Sequence, residues 1–369
     1  MVNRSAPRVV VGLSGGVDSS VAAWLLREQG WDVQGLFMSN WDEDDAYCTA
    51  ATDFQDARAV CTALSIPLHR VSFAAEYRDR VFDYFLREAR AGRTPNPDVL
   101  CNREIKFGVC VRHAQRLGAS YFATGHYARL TGDNAANLKL LKGLDPLKDQ
   151  SYFLHAVSRE QFARVRFPIG ELTKAQVRRL ARDAGLPTFD KPDSTGICFI
   201  GERPFREFLA QWLPTRVGNI ETPTGEVVGE HLGLAFYTLG QRSGLNLGGR
   251  AGHAEQPWFV AAKDAVRNVL VVVQGHDHSD LHSCALEADN VHWLIDEPQS
   301  PLHCMAKVRY RQPDQQATVT RLTSATVRVE FAQAQRAVTP GQFVVFYVGE
   351  HCLGGAVISR SYASGNQPI

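Results

Sequence analysis

The chain has little of several features that would assign it to a simple class of protein. None of its 369 residues belongs to an apolar run approaching the ~20 residues that a membrane span needs. The apolar run Val9–Leu13 is too short for the core of a secretory signal, so a cytoplasmic location is the default expectation. The 40 basic and 39 acidic residues leave a formal net charge of +1, which by itself indicates no polyanionic partner.

Cysteine is scarce, and its spacing is uninformative. The chain contains 8 Cys, too few for a small disulfide scaffold. It has no Cys-x-x-Cys pair and therefore lacks the ligand spacing of zinc sites. In a reducing compartment such cysteines are usually buried thiols, and some are catalytic. With 44% hydrophobic and 21% charged residues, the composition is that of a globular protein with enough apolar material for sizeable cores.

The N-terminal half alternates apolar strands with amphipathic helices. Strands are predicted at 9–13, 33–38, 68–73 and 121–124, and helices at 19–29, 53–64, 77–91, 105–117, 173–184 and 205–213. Thr173 and Gln176 form a capping box at the start of one helix, and Gly185 ends it. This alternation predicts an α/β fold with a doubly wound parallel sheet, whose ligands bind at the carboxyl ends of the strands.

The C-terminal part has a different texture. From about Val217 onward, short alternating runs rich in Gly and Val are separated by turn signals such as Pro340-Gly341, which is typical of an all-β structure. We expect the doubly wound domain over residues 1–205, a small β-rich central domain over 206–278 and a β-barrel over 279–369.

A glycine- and serine-rich loop joins the first strand to the first helix. Residues 14–20 read Ser-Gly-Gly-Val-Asp-Ser-Ser. The glycines let the backbone approach an anion, the hydroxyls can donate to phosphate oxygens, and the helix N-terminus adds amide groups and a positive dipole end. Asp18 is unexpected beside phosphates unless it orients amides or helps to hold Mg²⁺. Because no Lys follows, this loop differs from the common Lys-containing phosphate loop and predicts a separate class of nucleotide site.

Two cysteines lie in segments that suggest reactivity. Cys101 follows Pro95 and Pro97 at a predicted helix start, where the thiol pKa is lowered. Asp98 places a carboxylate three residues upstream. Cys198 lies between Gly196 and Gly201 in a segment that suggests an exposed loop or a short strand. From the sequence alone, a buried structural thiol remains an alternative for both.

Taken together, these segments resemble those of the tRNA-specific 2-thiouridylases, the bacterial and organellar family that thiolates the wobble uridine of tRNA. The nucleotide loop alone is shared by many enzymes of the ATP pyrophosphatase superfamily, but its combination with both cysteine segments is specific. The shared motifs lie at 14–20, 35–38, 40–41, 94–106, 124–127, 147–153, 193–202, 237–242, 308–311 and 339–342.

The resemblance implies an adenine nucleotide alpha hydrolase-like N-terminal domain that takes ATP with Mg²⁺ as a substrate and needs neither an iron–sulfur cluster nor structural zinc. The ATP-binding residues that it implies are Gly12, Leu13, Ser14, Gly15, Gly16, Val17, Asp18, Ser19, Met38 and Gly125.

The resemblance also implies a sulfurtransferase mechanism. ATP adenylates the 2-carbonyl of the uridine, and Cys198 carries the sulfur as a persulfide received from a sulfur carrier or a cysteine desulfurase. Cys101 is the nucleophile that either frees sulfide from the persulfide or closes a transient disulfide with Cys198, and AMP is expelled. Adenylation suits this task because an amide-like carbonyl is a poor electrophile, and a protein-bound persulfide supplies sulfur at high effective concentration.

The family's RNA contacts carry over to matching positions. The target base is expected at Asn96, Pro97 and Asp98. Further tRNA contacts are expected at His126, Lys148, Asp149, Gln150, Tyr310, Arg311 and Gln342. The family points to tRNAs for Lys, Glu and Gln, and we expect a monomer without a membrane partner. A run of cations between Arg159 and Arg182, including Arg178 and Arg179, suggests a phosphate-tracking patch, although a solvated helix face is the alternative.

Three other functions fit part of the pattern. An adenylating ligase or amidotransferase on the same loop would give Cys101 and Cys198 no task. A catalytically idle RNA-binding protein would not need Gly15, Gly16, Asp18 and Ser19, all of which are present. A thiolase with an iron–sulfur cluster is disfavoured by the absent Cys-x-x-Cys pair.

Overall fold

A computed structural model describes residues 6–41, 50–193, 205–248 and 255–363 of the chain. The strands of its N-terminal part are β1 (Arg8–Gly12), β2 (Asp32–Ser39), β3 (Leu68–Ser72), β4 (Tyr121–Ala123), β5 (Ala128–Thr131), β6 (Lys139–Lys142) and β7 (Val165–Arg166). Five of them form one sheet in the order β3-β2-β1-β4-β7, and every pair of neighbours is parallel.

Both faces of this sheet are covered, as the apolar run in its central strand predicts. Val9, Val10 and Val11 are all fully buried. Val9 and Val11 belong to the core under one set of helices, whereas Val10 belongs to the core on the opposite face. A strand buried on both faces has a continuous rather than an alternating apolar sequence, so the predicted parallel, doubly wound sheet is confirmed.

The helices flank the sheet and connect its strands. They are α1 (Val17–Glu28), α2 (Ala50–Leu64), α3 (Ala74–Tyr77), α4 (Asp83–Arg90), α5 (Pro97–Leu100), α6 (Cys110–Arg116), α7 (Ser151–Leu154), α8 (Arg159–Phe162), α9 (Lys174–Asp183) and α10 (Phe205–Ala210). Two predicted helices are interrupted by wider π-helical turns at Arg78–Phe82 and Cys101–Val109. Apolar spacing with a period of 3.6 residues does not detect such turns, because each adds a residue to the hydrogen-bonded ring.

The remaining strands form two further β structures, as predicted. They are β8 (Gly218–Glu221), β9 (Val227–His231), β10 (Trp258–Asp264), β11 (Val269–Gln274), β12 (His282–Trp293), β13 (Leu302–Lys307), β14 (Gln315–Arg321), β15 (Thr326–Arg336), β16 (Phe343–Val348) and β17 (His351–Tyr362). A four-stranded sheet has the order β10-β11-β8-β9. Strands β12 to β17 form a six-stranded barrel that the pairing of β12 with β17 closes.

One hairpin links the N-terminal part to the barrel. Strands β5 and β6 pair with each other, and Leu140 and Leu141 of β6 pair with Cys352 and His351 of β17. The sequence analysis did not predict this hairpin. It extends the barrel sheet with a segment from the first half of the chain, so the two parts share one hydrogen-bonded sheet.

Within the described ranges, no helix combines the length and the apolar character that crossing a membrane requires. The longest helix, α2, has 15 residues and bears charged side chains.

Candidate active site

The glycine- and serine-rich loop lies where the fold predicts a ligand site. It leaves the carboxyl end of β1 and enters α1, with Gly16 as the N-cap in an extended conformation. The backbone amide of Ser14 donates to Ser19 Oγ at 3.2 Å, and Ser19 Oγ donates to the carbonyl of Gly16 at 3.1 Å. These bonds fold the loop over the first turn of α1, whose amide groups and positive dipole end favour an anion.

The sheet order places a second loop beside the first. Strand β1 lies between β2 and β4, and the chain turns in opposite directions from this point, which is where doubly wound sheets bind their ligands. The loop after β4 contains Gly125, where a Cβ atom would lie 2.6 Å from the amide nitrogen of Ser19. Gly15 has a φ of +76°, and a Cβ atom there would lie 2.4 Å from the carbonyl oxygen of Asp53. Neither position can take a side chain without displacing backbone.

Asp18 has partners that explain its presence in a loop expected to bind phosphate. The hydroxyl of Tyr127 donates to Asp18 Oδ1 at 2.8 Å, and the ammonium group of Lys174 lies 2.8 Å from both carboxylate oxygens. Burial and the Asp18 carboxylate raise the pKa of Tyr127 above its ordinary value, so its hydroxyl stays a donor. Asp18 is therefore neutralised by protein groups that the sequence analysis did not connect to it.

Asp193, the last described residue before the gap at 194–204, forms ion pairs with three basic side chains. Its carboxylate lies 2.6 Å from Lys148 Nζ, 2.7 Å from Lys174 Nζ and 2.8 Å from a guanidinium nitrogen of Arg178. Burial opposes the charge of Asp193, but hydrogen bonds from Lys148 and Lys174 outweigh it and lower the pKa to about 2. Lys174 therefore bridges two carboxylates, one on the nucleotide loop and one five residues before Cys198.

Cys101 is fully buried and lies deeper in its helix than the sequence predicts. The helix begins at Pro97, and the Asn96 side chain caps it by accepting from the amide of Asp98 at 3.1 Å. Cys101 is the fifth helical residue and starts the π-helical turn, so the expectation that it sits at the helix N-terminus is wrong. Cys101 Sγ lies 4.0 Å from Asn40 Nδ2.

The other cysteines differ in what the structure reveals of them. Cys198 and Cys48 lie outside the described residues. Burial raises the pKa of Cys61, Cys110 and Cys352 to about 12, which keeps these thiols protonated and unreactive at neutral pH. Among the residues that the structure describes, no three His, Cys, Asp or Glu side chains are grouped so that they could hold a metal ion.

The segment expected to hold the target base contacts the C-terminal barrel. Gln342 Nε2 donates to the carbonyl of Thr94 at 2.7 Å, and Gln342 Oε1 accepts from Asn96 Nδ2 at 3.5 Å. The amide of Thr94 donates to the carbonyl of Pro340 at 2.9 Å. Asn96 and Gln342 are 246 residues apart in the sequence, and the tertiary structure brings these two predicted site residues together.

Several predicted RNA contacts instead bond within the protein. Asp149 is buried and accepts from the amides of Gly143 and Ser151 at 3.1 and 3.0 Å. Gln150 Oε1 accepts from the amide of Tyr127 at 2.9 Å. His126 is buried with Nδ1 2.7 Å from the Thr124 hydroxyl, and burial, with a contribution from Lys106, holds the pKa of His126 well below its ordinary value.

Two predicted contacts from the barrel lie near these residues. The Tyr310 hydroxyl donates to the carbonyl of Lys148 at 3.3 Å, and its ring centroid lies 4.5 Å from that of Phe153. Arg311 is exposed, with its guanidinium carbon 6.0 Å from the Tyr310 ring centroid.

Met38, which is expected to contact ATP, lies near the carboxyl end of β2, and its Sδ atom is 3.4 Å from Cys110 Sγ.

Lys174 is the main site residue that the sequence analysis did not identify, since it was counted only within the basic run. A usable signal was its place directly after the capping residue Thr173, because a first-turn Lys is unfavourable next to the positive end of a helix dipole. Such a residue indicates a nearby anion, which here is provided by Asp18 and Asp193.

Comparison with known protein families covers all three parts of the chain. A family model described as a tRNA methyl transferase HUP domain matches residues 7–202. Models described as a tRNA methyl transferase PRC-barrel domain and an aminomethyltransferase beta-barrel domain match residues 206–274 and 283–358.

Curated relatives match nearly the full length. The tRNA-specific 2-thiouridylase MnmA of Marinobacter nauticus is 59% identical, covering 96% of this chain and 92% of that protein. The Vibrio cholerae protein of the same name is 56% identical, and the match covers 96% of this chain and 97% of that protein. A solved 4-thiouridine synthetase–RNA complex with bound ATP aligns with 56% of this chain and 50% of that protein, at 20% identity and a TM-score of 0.33. Full-length identity of this degree confirms the resemblance: the chain belongs to the family of tRNA-specific 2-thiouridylases, which are sulfurtransferases.

Proposed function

We propose that this chain thiolates the wobble uridine of tRNA at the expense of ATP, through an adenylated uridine and a persulfide on Cys198. The observation that carries the proposal is the position of Cys101. Its sulfur lies 4.0 Å from the side chain of Asn40, which directly follows β2 (Asp32–Ser39). The buried thiol therefore lies at the same edge of the sheet as the nucleotide loop after β1.

The nucleotide loop supports ATP as the activating substrate. Its glycines and the amides of α1 suit phosphate groups, and Gly125 leaves room only for backbone against Asp18 and Ser19. The Asp18 carboxylate is already paired with Lys174, so we propose that Mg²⁺ arrives with the ATP phosphates. Activation proceeds when the uridine O2 attacks the α-phosphorus, the bond to pyrophosphate breaks, and the base carries an AMP ester at C2.

Sulfur transfer then replaces that ester. In one route, Cys101 attacks Cys198 Sγ of the persulfide, forms a Cys101–Cys198 disulfide and releases sulfide, which attacks C2 and expels AMP. In the other, the terminal persulfide sulfur attacks C2 and expels AMP, and Cys101 then breaks the S–S bond to release the thiolated base. Both routes end with the same disulfide, and two external thiols or one dithiol must supply two electrons before the next turnover.

The tRNA contacts divide into two groups. We propose that the exposed Arg311 and the partly exposed Lys148 reach the RNA directly. Asp149 and Gln150, whose side chains bond to backbone amides, shape the segment that presents Lys148. The proposed substrates are tRNAs for Lys, Glu and Gln, and the proposed sulfur source is a persulfide carrier or a cysteine desulfurase.

The decisive experiment is mass analysis of nucleosides after incubating unmodified tRNA with the purified chain, ATP, Mg²⁺ and a persulfide donor. We expect 2-thiouridine at the wobble position, with AMP and pyrophosphate formed in equal amounts. Cys101→Ser and Cys198→Ser are expected to abolish the 2-thiouridine, while Cys284→Ser serves as the matched control because that thiol lies on β12 of the barrel and donates to the carbonyls of Tyr362 and Ala363.

The same experiment separates the alternatives. An adenylating ligase would retain AMP formation on its own substrate without either cysteine, and an idle RNA-binding protein would bind tRNA without releasing pyrophosphate. Full thiolation by either cysteine variant, or thiolation without AMP, would contradict the proposal.

A further inference from the structure

A cavity lies beside the segment proposed to hold the target base. Its volume is about 490 Å³, within the range of ~300–1,000 Å³ that is usual for ligand pockets. Thr94 and Pro95 form part of its wall, and the next residue along the chain is Asn96. The chemistry proposed above assigns no role to this cavity.

Another part of the lining belongs to a motif that the proposed function also leaves without a task. Thr238 and Gln241 of the motif at 237–242 line the cavity, together with Ala235 and Phe236 just before it. Gln241 Oε1 accepts from the amide of Thr238 at 2.9 Å, and Gln241 Nε2 donates to the carbonyl of Ser243 at 2.8 Å. The motif is therefore a rigid turn that holds this wall in place.

The barrel holds both walls in position. Gln342 bonds to the carbonyl of Thr94 on one side at 2.7 Å. On the other side, Arg309 donates to the carbonyls of Leu239 and Ala337 at 3.2 and 2.9 Å. The lining residues come from the N-terminal and central parts of the chain, and the barrel bonds to both. The cavity is therefore preformed, and ligand binding does not have to order its walls.

The charges of the lining favour an uncharged ligand. Arg93 is bound through two hydrogen bonds to Glu88, at 2.5 and 2.9 Å. Arg206 donates to the carbonyl of Gly244 at 2.9 Å and covers the Tyr237 ring at 4.9 Å, and the neighbouring Glu207 carries the opposite charge. Since Arg93 is paired with Glu88, and the lining holds one glutamate, Glu207, besides Arg206, the lining offers no cluster of uncompensated cations for a phosphate group.

Apolar walls combined with hydroxyl groups suit a nucleobase. Phe85, Ala89 and Phe236 supply apolar surface, and Thr94 and Thr238 supply hydroxyls that can donate or accept. Unstacked bases of single-stranded RNA loops are recognised by this mixture of apolar contact and hydrogen bonds to the base edges.

We propose that this cavity, which we call the flanking-base pocket, binds the base of one of the two nucleotides adjacent to the target uridine. The proposal rests on the proposed function, since it needs an RNA loop whose target base lies at Asn96–Asp98. Enzymes that act on an extruded base also contact the nucleotides beside it, and a pocket beginning one residue from Asn96 is close enough to receive a neighbouring base. Holding two adjacent bases fixes the register of the loop, which would make the wobble uridine the only one presented to the thiols.

The test compares two RNA substrates with two protein variants. The substrates are an anticodon stem-loop with all of its bases and the same stem-loop made abasic at each flanking nucleotide in turn. Ala235→Phe fills the pocket from a position that the proposed chemistry does not use. Val227→Phe adds the same ring to the same central domain, at an exposed position that does not line the pocket. The measured quantities are kcat and KM for 2-thiouridine formation, and KM for ATP.

We expect one abasic substitution to raise the RNA KM of the wild-type enzyme about tenfold, the order that one stacked base contributes. Ala235→Phe should raise the KM for intact RNA by a similar factor, show no further increase with the abasic RNA, and keep the ATP KM of the wild type. Val227→Phe should behave as the wild type. The pocket is refuted if neither abasic substitution matters, or if Ala235→Phe and the abasic site weaken binding independently.

A measurement on the wild-type protein covers the case in which Ala235→Phe does not fold. Stem-loops carrying 5-iodouracil at either flanking position are irradiated on the enzyme, and the crosslinked peptide is identified by mass spectrometry. Crosslinks to residues 235–241 are expected, and crosslinks confined to other segments would overturn the proposal. Failure of the proposed function is distinguishable, because the wild-type enzyme would then thiolate neither RNA.

Discussion

The ammonium group of Lys174 lies 2.8 Å from both carboxylate oxygens of Asp18, although the two residues are 156 positions apart. The contact forms because α9, which begins at Lys174, packs against α1, which carries Asp18 in its first turn. The Lys174 side chain is only 13% exposed, so this ion pair is better protected from solvent than a surface pair. The Lys174 ammonium offsets the negative charge of Asp18, which would otherwise repel the triphosphate that we propose binds to this loop.

Lys174→Met should weaken ATP binding more than RNA binding. Removing the ammonium leaves the Asp18 carboxylate without its counter-charge beside the phosphates, and this repulsion should cost about 2 kcal/mol of binding free energy, or about thirtyfold in affinity. We expect the ATP KM to rise by roughly this factor in steady-state assays, with the RNA KM little changed. Lys174→Arg, which keeps the charge, should recover most of the loss, and an unchanged ATP KM for Lys174→Met would refute the role.

Gly125→Ala should disrupt the nucleotide loop. The added Cβ atom would lie 2.6 Å from the backbone of Asp18 and Ser19, and the resulting displacement should lower the free energy of unfolding by about 1–3 kcal/mol. Thiolation should fall with it, through a higher ATP KM. Urea unfolding and steady-state kinetics measure the two effects. Gly248→Ala is the control, since a Cβ atom there has no neighbour within 4 Å, and equal behaviour of the two variants would contradict the close approach.

Lys263 should make stability rise in alkaline solution. Its ammonium donates to the carbonyl of Gly92 at 3.1 Å, and burial lowers the pKa of Lys263 from 10.5 to about 8. Between these values the unfolded chain binds more protons than the folded one, so the free energy of unfolding increases with pH. Allowing for solvent screening, Lys263→Met should remove about 1–2 kcal/mol of this increase.

The measurement for Lys263 is urea unfolding between pH 7 and pH 10.5, across the interval set by its two pKa values. Lys139→Met serves as the control because Lys139 is exposed on the β6 strand. The prediction fails if the wild type and Lys263→Met show the same dependence on pH.

The basic run on α9 should contribute to RNA binding through its exposed members. Arg178 turns toward Asp193 at 2.8 Å, whereas Arg179 and Arg182 are exposed. The double variant Arg179→Glu, Arg182→Glu should weaken tRNA binding at low salt and reduce the slope of log affinity against log salt by about two, roughly one per lost phosphate contact. Filter binding at several salt concentrations measures this slope. Arg116→Glu, at an exposed position on α6, is the matched control. An unchanged slope in the double variant would contradict the prediction and show that these arginines face solvent without contacting RNA.

Local features of the sequence were sufficient for much of the architecture. The apolar run at Val9–Leu13 indicated a buried strand, and Thr173 with Gln176 indicated a helix start whose reciprocal capping bonds are present in the structure. The nucleotide loop was likewise evident from residues 14–20, because strand, turn and helix follow one another directly. Such features depend on neighbours within about one helical turn, so periodicity and capping rules are enough to predict them.

Tertiary packing decided the contacts that give the candidate site its chemistry. Neither the pairing of Lys174 with Asp18 nor the contact of Gln342 with Thr94 follows from spacing, because each joins elements that meet only when the chain is folded. The β5–β6 hairpin that extends the barrel was not predicted for the same reason. The π-helical turn that starts at Cys101 is local, but a period of 3.6 residues does not detect it. Ion pairs and strand pairings over such separations depend on where whole helices and strands lie relative to one another. No local pattern in the sequence specifies those relative positions.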